Sequence, residues 1–96
     1  MREISRTGLA QTCKRWARAH GWWVHKFRSP GHNASPDDVF AKNGVVLWVE
    51  FKRPGKRPTE MQQKVINEML AAGLDVVWVD NIEDFKAVLT VREAAR

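Results

Sequence analysis

Residues 36–52 read PDDVFAKNGVVLWVEFK, and this stretch decides the fold. Asn43-Gly44 is a strong signal for a two-residue hairpin turn, because both residue types tolerate the positive φ that such a turn requires. We therefore predict a β-hairpin with arms over residues 36–41 and 45–52. Antiparallel pairing about the turn places the start of the first arm beside the end of the second.

The open end of this hairpin carries two carboxylates and an ammonium group. Asp37 begins one arm, and Glu50 and Lys52 lie near the end of the other. Side chains alternate along a strand, so Glu50 and Lys52 share one face while Phe51 points to the other. Hard ions such as Mg²⁺ bind one or two carboxylates together with water and substrate phosphate. The pattern predicts a metal-dependent phosphodiesterase site.

A strand-end salt bridge is the alternative interpretation, because Asp, Glu and Lys are common residues and this spacing alone is weakly specific. The preceding run, Val45 to Val49, is apolar on both faces, which is typical of a buried strand. Charges at the end of such a strand are costly unless they are used. The local pattern leaves both interpretations open.

Composition limits the class of protein. With 96 residues and 11.0 kDa, the chain is expected to form a single domain over residues 1–96. Cys13 is the single cysteine, so no intrachain disulfide or cysteine zinc cluster can form, which favours a reducing compartment. The longest apolar run is too short to span a bilayer, and no signal-peptide segment is evident. We expect a cytoplasmic protein without a membrane partner.

The net charge of +5 is unevenly distributed. Between Lys14 and Arg57 the chain has ten basic residues against Asp37, Asp38 and Glu50. A positive field around the candidate site would attract a polyanion and make its binding salt-dependent. A solvated basic face explains the same composition, and composition does not identify a reaction.

The remaining segments predict helices and strands in the order αβββαβα. The Thr59-x-x-Gln62 spacing is a capping box, and Gly73 is placed to end the helix that starts there. Strongly apolar central strands indicate helices on both faces of the sheet. The predicted bounds are a helix over 4–20, strands over 22–28, 36–41, 45–52 and 74–79, a helix over 59–73, and a last helix over 81–89 with 92–96 frayed. Residues Met61, Val65, Ile66, Met69 and Leu70 form the predicted apolar face of the second helix.

The sequence resembles the PD-(D/E)xK nucleases and, within them, the small VRR-NUC domains. Three motifs stand in the family's order: Pro36-Asp37, Glu50-Phe51-Lys52 and Thr59-x-x-Gln62. A helix ending at Gly73 and a strand over 76–79 follow, so the resemblance spans roughly residues 9 to 80. It implies an α/β fold with an αβββαβ restriction-endonuclease-like core and a C-terminal helix.

The resemblance also implies an activity. Family members are Mg²⁺- or Mn²⁺-dependent endonucleases that act on branched or flapped DNA in replication and repair. Small phage-type members, found in bacteria or phage-infected cells, are homodimers similar to Holliday-junction resolvases. The implied catalytic residues are Asp37, Glu50, Lys52 and Gln62, and the implied metal ligands are Asp37, Glu50 and the main-chain carbonyl of Phe51.

One motif of the family differs here. Many members have an acidic residue on the first helix, whereas the single acid before Asp37 is Glu3, near or before the helix start. A favourable charge at a helix N-terminus explains Glu3 without a role in the site.

DNA contacts are expected from basic side chains near the site. The predicted phosphate-binding residues are Lys26, Arg28, Arg53, Lys56 and Arg57, with Lys42 as a further candidate. Trp22 and Trp23 point to opposite faces of one strand, so one of them is expected at an exposed surface, such as a dimer contact.

Several functions remain open at this stage. The first is a structure-selective nuclease, and the second is a DNA-binding module that keeps the fold without catalysis. A non-specific nicking nuclease is a further alternative. A sequence-specific restriction-type enzyme is disfavoured, because 96 residues leave little room for a base-reading insertion.

Overall fold

A computed structural model describes residues 6–28 and 34–95. Glu3 therefore lies outside the described residues. The structure is of the mixed α/β class, and its order of elements matches the prediction. The elements are α1 (Arg6–Ala19), β1 (Trp23–Lys26), β2 (Asp38–Lys42), β3 (Val45–Phe51), α2 (Glu60–Ala71), β4 (Val76–Val79) and α3 (Ile82–Ala94).

The four strands form one sheet in the order β1-β2-β3-β4. The β1/β2 and β2/β3 pairs are antiparallel, and β3/β4 is parallel. Lys42 pairs with Val45, and Asn43 and Gly44 have φ values of 50° and 84°, as the predicted two-residue turn requires. The hairpin is confirmed, although β2 begins at Asp38 rather than at Pro36.

One face of the sheet forms the main core. Leu47, Val49 and Phe51 of β3 are completely buried on this face. Helices α1 and α3 cover it, and the ring of Phe85 on α3 packs 5.2 Å from Phe40 and 5.8 Å from Phe51. Cys13 on α1 is also completely buried, and burial raises the pKa of its thiol to about 12. Cys13 is therefore a small apolar core residue with no reactive thiolate.

Among the described residues, the opposite face is covered only in part. Helix α2 packs beside β4, and Ile66 is its one buried residue. Met61 and Leu70 are 61% and 51% exposed. The predicted inward face of α2 is therefore wrong at these two residues, because the helix packs beside the edge strand β4 and buries Ile66 alone.

The structure corrects the predicted element ends. β1 is shorter than predicted, and β4 begins at Val76 because the N–H of Leu74 still bonds the helix carbonyl of Met69. Helix α3 continues to Ala94, so the expected fraying from Arg92 is wrong within the described residues. Arg92 forms a two-pronged ion pair with Asp75, which holds this turn against the sheet and raises the pKa of the guanidinium. No helix in the described part is long and apolar enough to cross a membrane.

Candidate active site

Asp37 is fixed at the open end of the hairpin by main-chain contacts. Its Oδ2 accepts a hydrogen bond of 2.9 Å from the main-chain N–H of Phe51. Its own carbonyl accepts the N–H of Phe27 at 2.9 Å. The structure thus brings Asp37 beside the Glu50-Phe51-Lys52 triplet, as the hairpin register predicts.

Glu50 and Lys52 emerge on the partly open face of the sheet, where Gln62 of α2 connects them. Lys52 Nζ donates to Gln62 Oε1 at 2.8 Å, and Gln62 Nε2 lies 3.5 Å from Glu50 Oε2. Glu50 is only 2% exposed. The intervening Phe51 is anchored in the core, so the strand that presents the two charged groups cannot easily rotate. The result is an ordered carboxylate, amide and ammonium group along one surface.

The N-terminus of α2 places Gln62 in this position. The N–H of Gln62 donates to Thr59 Oγ1 at 3.2 Å, and the N–H of Thr59 donates to Gln62 Oε1 at 2.9 Å. This reciprocal pair is the predicted capping box. Gln62 Oε1 therefore accepts from both the helix cap and Lys52. The Gln62 side chain therefore stabilises the start of α2 and positions Lys52 at the same time.

A basic depression adjoins Lys52. Its volume is about 360 Å³, and its lining residues are Lys52, Arg53, Lys56, Arg57 and Thr59. Three of the predicted phosphate-binding residues therefore share one concave surface with the candidate catalytic lysine. The guanidinium of Arg57 lies 5.9 Å above the ring of Trp78 on β4, a cation–π contact that restrains it.

Asp80 holds the basic loop through a hydrogen bond, and this role was not predicted from the sequence. Its Oδ2 accepts the N–H of Gly55 at 3.0 Å, and this bond, with that from Asn81, lowers the pKa of Asp80. Asp80 directly follows β4, which runs parallel to β3. The sequence does contain a signal for this role. Asp80 is an acid at the carboxyl end of β4, and parallel pairing places that end beside the end of β3.

The other predicted phosphate-binding residues lie elsewhere. Lys26 pairs with Asp38, which points to the core side and binds Lys14 at 3.1 Å. Asp38 is 2% exposed, and burial raises the pKa of its carboxyl. Arg28 is exposed just after β1. Lys42 is at the turn end of the hairpin, where it contacts Glu93 at 2.8 Å, so it does not join the basic depression.

The donor atoms suit a hard divalent cation. Within residues 6–28 and 34–95, no three His, Cys, Asp or Glu side chains are grouped to hold a metal. An ion here would have to rely on the carboxylates of Asp37 and Glu50, main-chain oxygen, water and substrate. This oxygen-only set fits Mg²⁺ or Mn²⁺ and does not fit a structural zinc site.

Comparisons with known proteins identify the fold and the family of the chain. No protein-family model matches the sequence. The chain is 32% identical over 90 residues to "Putative nuclease p44" of Acyrthosiphon pisum secondary endosymbiont phage 1, covering 93% of this chain and 96% of that protein. A solved structure described as "VRR_NUC domain" matches with a TM-score of 0.79 at 21% identity, over 88% of this chain and 94% of that one. The chain therefore belongs to the family of this phage nuclease and has the VRR-NUC fold.

Proposed function

We propose that this protein is a Mg²⁺- or Mn²⁺-dependent endodeoxyribonuclease that hydrolyses phosphodiester bonds in branched DNA, Holliday junctions included. The observation that carries the proposal is the convergence of Asp37, Glu50, Lys52 and Gln62 beside a basic depression. A strand-end salt bridge would explain one charged pair, but it would not explain a buried Glu50, a tethered Lys52 and three further cations on one surface.

Asp37, Glu50 and the main-chain carbonyl of Phe51 would hold the metal. When bound, the ion supplies Lewis-acid stabilisation of the phosphate and lowers the pKa of water. The position of Glu50 favours this role, because it directly precedes Phe51, whose N–H binds Asp37, so both carboxylates border the same end of β3. The hydrogen bond from Phe51 N–H fixes the orientation of the Asp37 carboxylate before substrate arrives.

Lys52 acts on the attacking water and on the developing charge. Gln62 holds its ammonium at 2.8 Å, which limits the positions that Nζ can occupy. From there, the ammonium form of Lys52 would orient the water and stabilise the negative charge that grows on the phosphate, whereas the amine form would take a proton from the water. The water attacks phosphorus in line, and the bond from phosphorus to the 3′ oxygen breaks. Hydrolysis in this geometry leaves a 5′-phosphate, as in the enzymes that the sequence resembles.

The basic depression binds the DNA backbone. Arg53, Lys56 and Arg57 present cations at the position where a phosphate would approach Lys52. Such contacts position DNA without reading its sequence. With no base-reading insertion in so short a chain, selectivity would come from DNA shape.

A homodimer is the assembly that suits a four-way junction, because two sites can nick opposed strands. Two apolar side chains at the end of α2 support a subunit contact there. Leu70 and Leu74 are 51% and 40% exposed and lie four residues apart, whereas Met61, which is 61% exposed, lies at the start of the helix and on its opposite side.

Labelled linear, nicked, flapped and four-way junction DNAs, each with and without Mn²⁺, test the proposal. We expect Mn²⁺-dependent cutting of the branched substrates, the four-way junction first, and no cutting by Lys52→Ala. Equal cutting of all forms would indicate a non-specific nicking nuclease. Binding without any cutting would favour the second candidate, a DNA-binding module, which the basic depression alone would also support.

A further inference from the structure

The sheet face that carries Glu50 and Lys52 extends beyond α2 toward the edge strand β1. Val24 points to the core and is 6% exposed, so its neighbours Trp23 and His25 point to the opposite face. The register confirms this placement: His25 pairs with Val39, which pairs with Trp48, two residues before Glu50. In the described part of the chain, α1 and α3 pack on the other side. The candidate active site and β1 therefore share one surface.

Trp23 and His25 form an aromatic pair on this surface. Their ring centroids are 4.4 Å apart with an interplanar angle of 21°, so the rings are stacked. Trp23 nevertheless remains 55% exposed. A stack that stands on a sheet with a large part of its end ring in solvent is shaped to accept another flat ring.

We propose that Trp23 and His25 form a stacking site for unpaired nucleobases of a flapped or splayed DNA arm. This inference rests on the proposed nuclease function and specifies which part of the substrate lies outside the cutting site. Aromatic side chains on an exposed sheet are a general means of holding single-stranded bases without reading their sequence.

The charge of the chain favours a nucleic acid on this face. Lys26, near the end of the edge strand β1, and Arg28, just after it, are exposed. Lys26 alternates to the Val24 side of the sheet, so it borders this face at the edge of the sheet. Asp38 points to the core side, so the acids that border this face on β3 and at the start of β2 are Glu50 and Asp37, both at the candidate site. The phosphates of a single strand would be attracted by the net charge of +5 and by these exposed cations at the edge of the face.

The distance to the site fits a short arm. Trp23 aligns through Ala41 with Val46, so it lies two strands and four residues from Glu50. With strands ~4.8 Å apart and ~3.3 Å per residue, the two Cα atoms are about 16 Å apart. About five stacked nucleotides at ~3.4 Å each cover this distance. A phosphodiester at the branch point can then occupy the site while the unpaired arm reaches Trp23.

Binding measurements in the Lys52→Ala background with Mg²⁺ test this proposal without cleavage. The probes are a blunt duplex, the same duplex with a ten-nucleotide single-stranded arm, and the same arm made of abasic nucleotides. Trp23→Ala should weaken binding of the base-containing arm about tenfold and that of the blunt duplex less than twofold. Trp23→Phe should retain most of the affinity for the base-containing arm. The abasic arm should bind the protein that keeps Trp23 as weakly as the base-containing arm binds Trp23→Ala.

Val46→Ala is the matched control, because Val46 lies on the same face, is 44% exposed and cannot stack on a base. It should leave binding of the arm unchanged. If Trp23→Ala weakened binding of the arm and of the blunt duplex equally, the stacking site would be overturned. The same conclusion would follow if Trp23→Ala did not weaken binding of the arm at all. A fall in molecular mass caused by both Trp23→Ala and Val46→Ala would show that a second copy covers the face. None of these outcomes depends on cleavage, whose absence in the unsubstituted protein would instead refute the proposed function.

Discussion

The two faces of the central hairpin differ in what their side chains do. On the face toward α1 and α3, Leu47, Val49 and Phe51 are completely buried among apolar groups. On the other face, Glu50 and Lys52 meet Gln62 and adjoin the basic depression. Alternation along one strand thus separates stability from chemistry residue by residue. Substitutions at adjacent positions should accordingly have different effects.

The largest effect is expected on cleavage at the site face. Asp37→Asn, Glu50→Gln and Lys52→Ala each remove a charge that the proposed reaction uses, so each should lower the cleavage rate at least about 10²-fold. A single-turnover assay with Mn²⁺ measures the rate, and thermal unfolding checks that the fold is retained. Undiminished cutting by Lys52→Ala would remove this residue from the mechanism.

On the core face, Phe51→Ala should lower the stability of the fold. Truncating this fully buried ring should cost about 3–5 kcal/mol of unfolding free energy, because it leaves a cavity between Phe40 and Phe85. Urea denaturation measures the loss. Val46→Ala on the other face is the control, with a change within about 0.5 kcal/mol. Similar losses for the two variants would contradict the assignment of the faces.

Gln62→Ala should affect both properties, since Gln62 Oε1 accepts from Thr59 and from Lys52. Loss of the capping box should lower stability by about 0.5–2 kcal/mol. Loss of the tether on Lys52 should also slow single-turnover cleavage. Thr59→Ala separates the two contributions, because it removes the hydroxyl of the cap and keeps the lysine contact. Equal cleavage rates for Gln62→Ala and Thr59→Ala would show that Gln62 is structural only.

Asp80→Ala should have the smallest effect, confined to DNA binding. The bond from Gly55 to Asp80 fixes the loop that carries Arg53, Lys56 and Arg57. Its loss should weaken DNA affinity a few-fold while the single-turnover rate at saturating DNA is unchanged. Fluorescence anisotropy at two salt concentrations measures the affinity. A loss of rate at saturating DNA would place Asp80 closer to the chemistry than its contacts indicate.

Local signals in the sequence predicted the hairpin and the capping box. Asn43-Gly44 and Thr59-x-x-Gln62 each specify their geometry within a few residues, and the hairpin register then brings Asp37 to Glu50. Contacts between distant segments carry no such signal. The pairs Lys14–Asp38 and Asp75–Arg92 arise only when the helices dock on the sheet, and Gly55–Asp80 arises only when β4 pairs with β3. They explain the position of Lys26, the missed role of Asp80 and the unexpected length of α3.

Asp37 and Asp38 provide the most direct test, because they are neighbouring acids assigned to opposite faces. Titration of Mn²⁺, followed by its paramagnetic resonance signal, should show binding to the protein. The account predicts that Asp37→Asn and Glu50→Gln abolish this binding, whereas Asp38→Asn, whose carboxylate bonds Lys14 on the core side, retains it. Unchanged Mn²⁺ binding in Asp37→Asn and Glu50→Gln would contradict the assignment of these carboxylates as metal ligands.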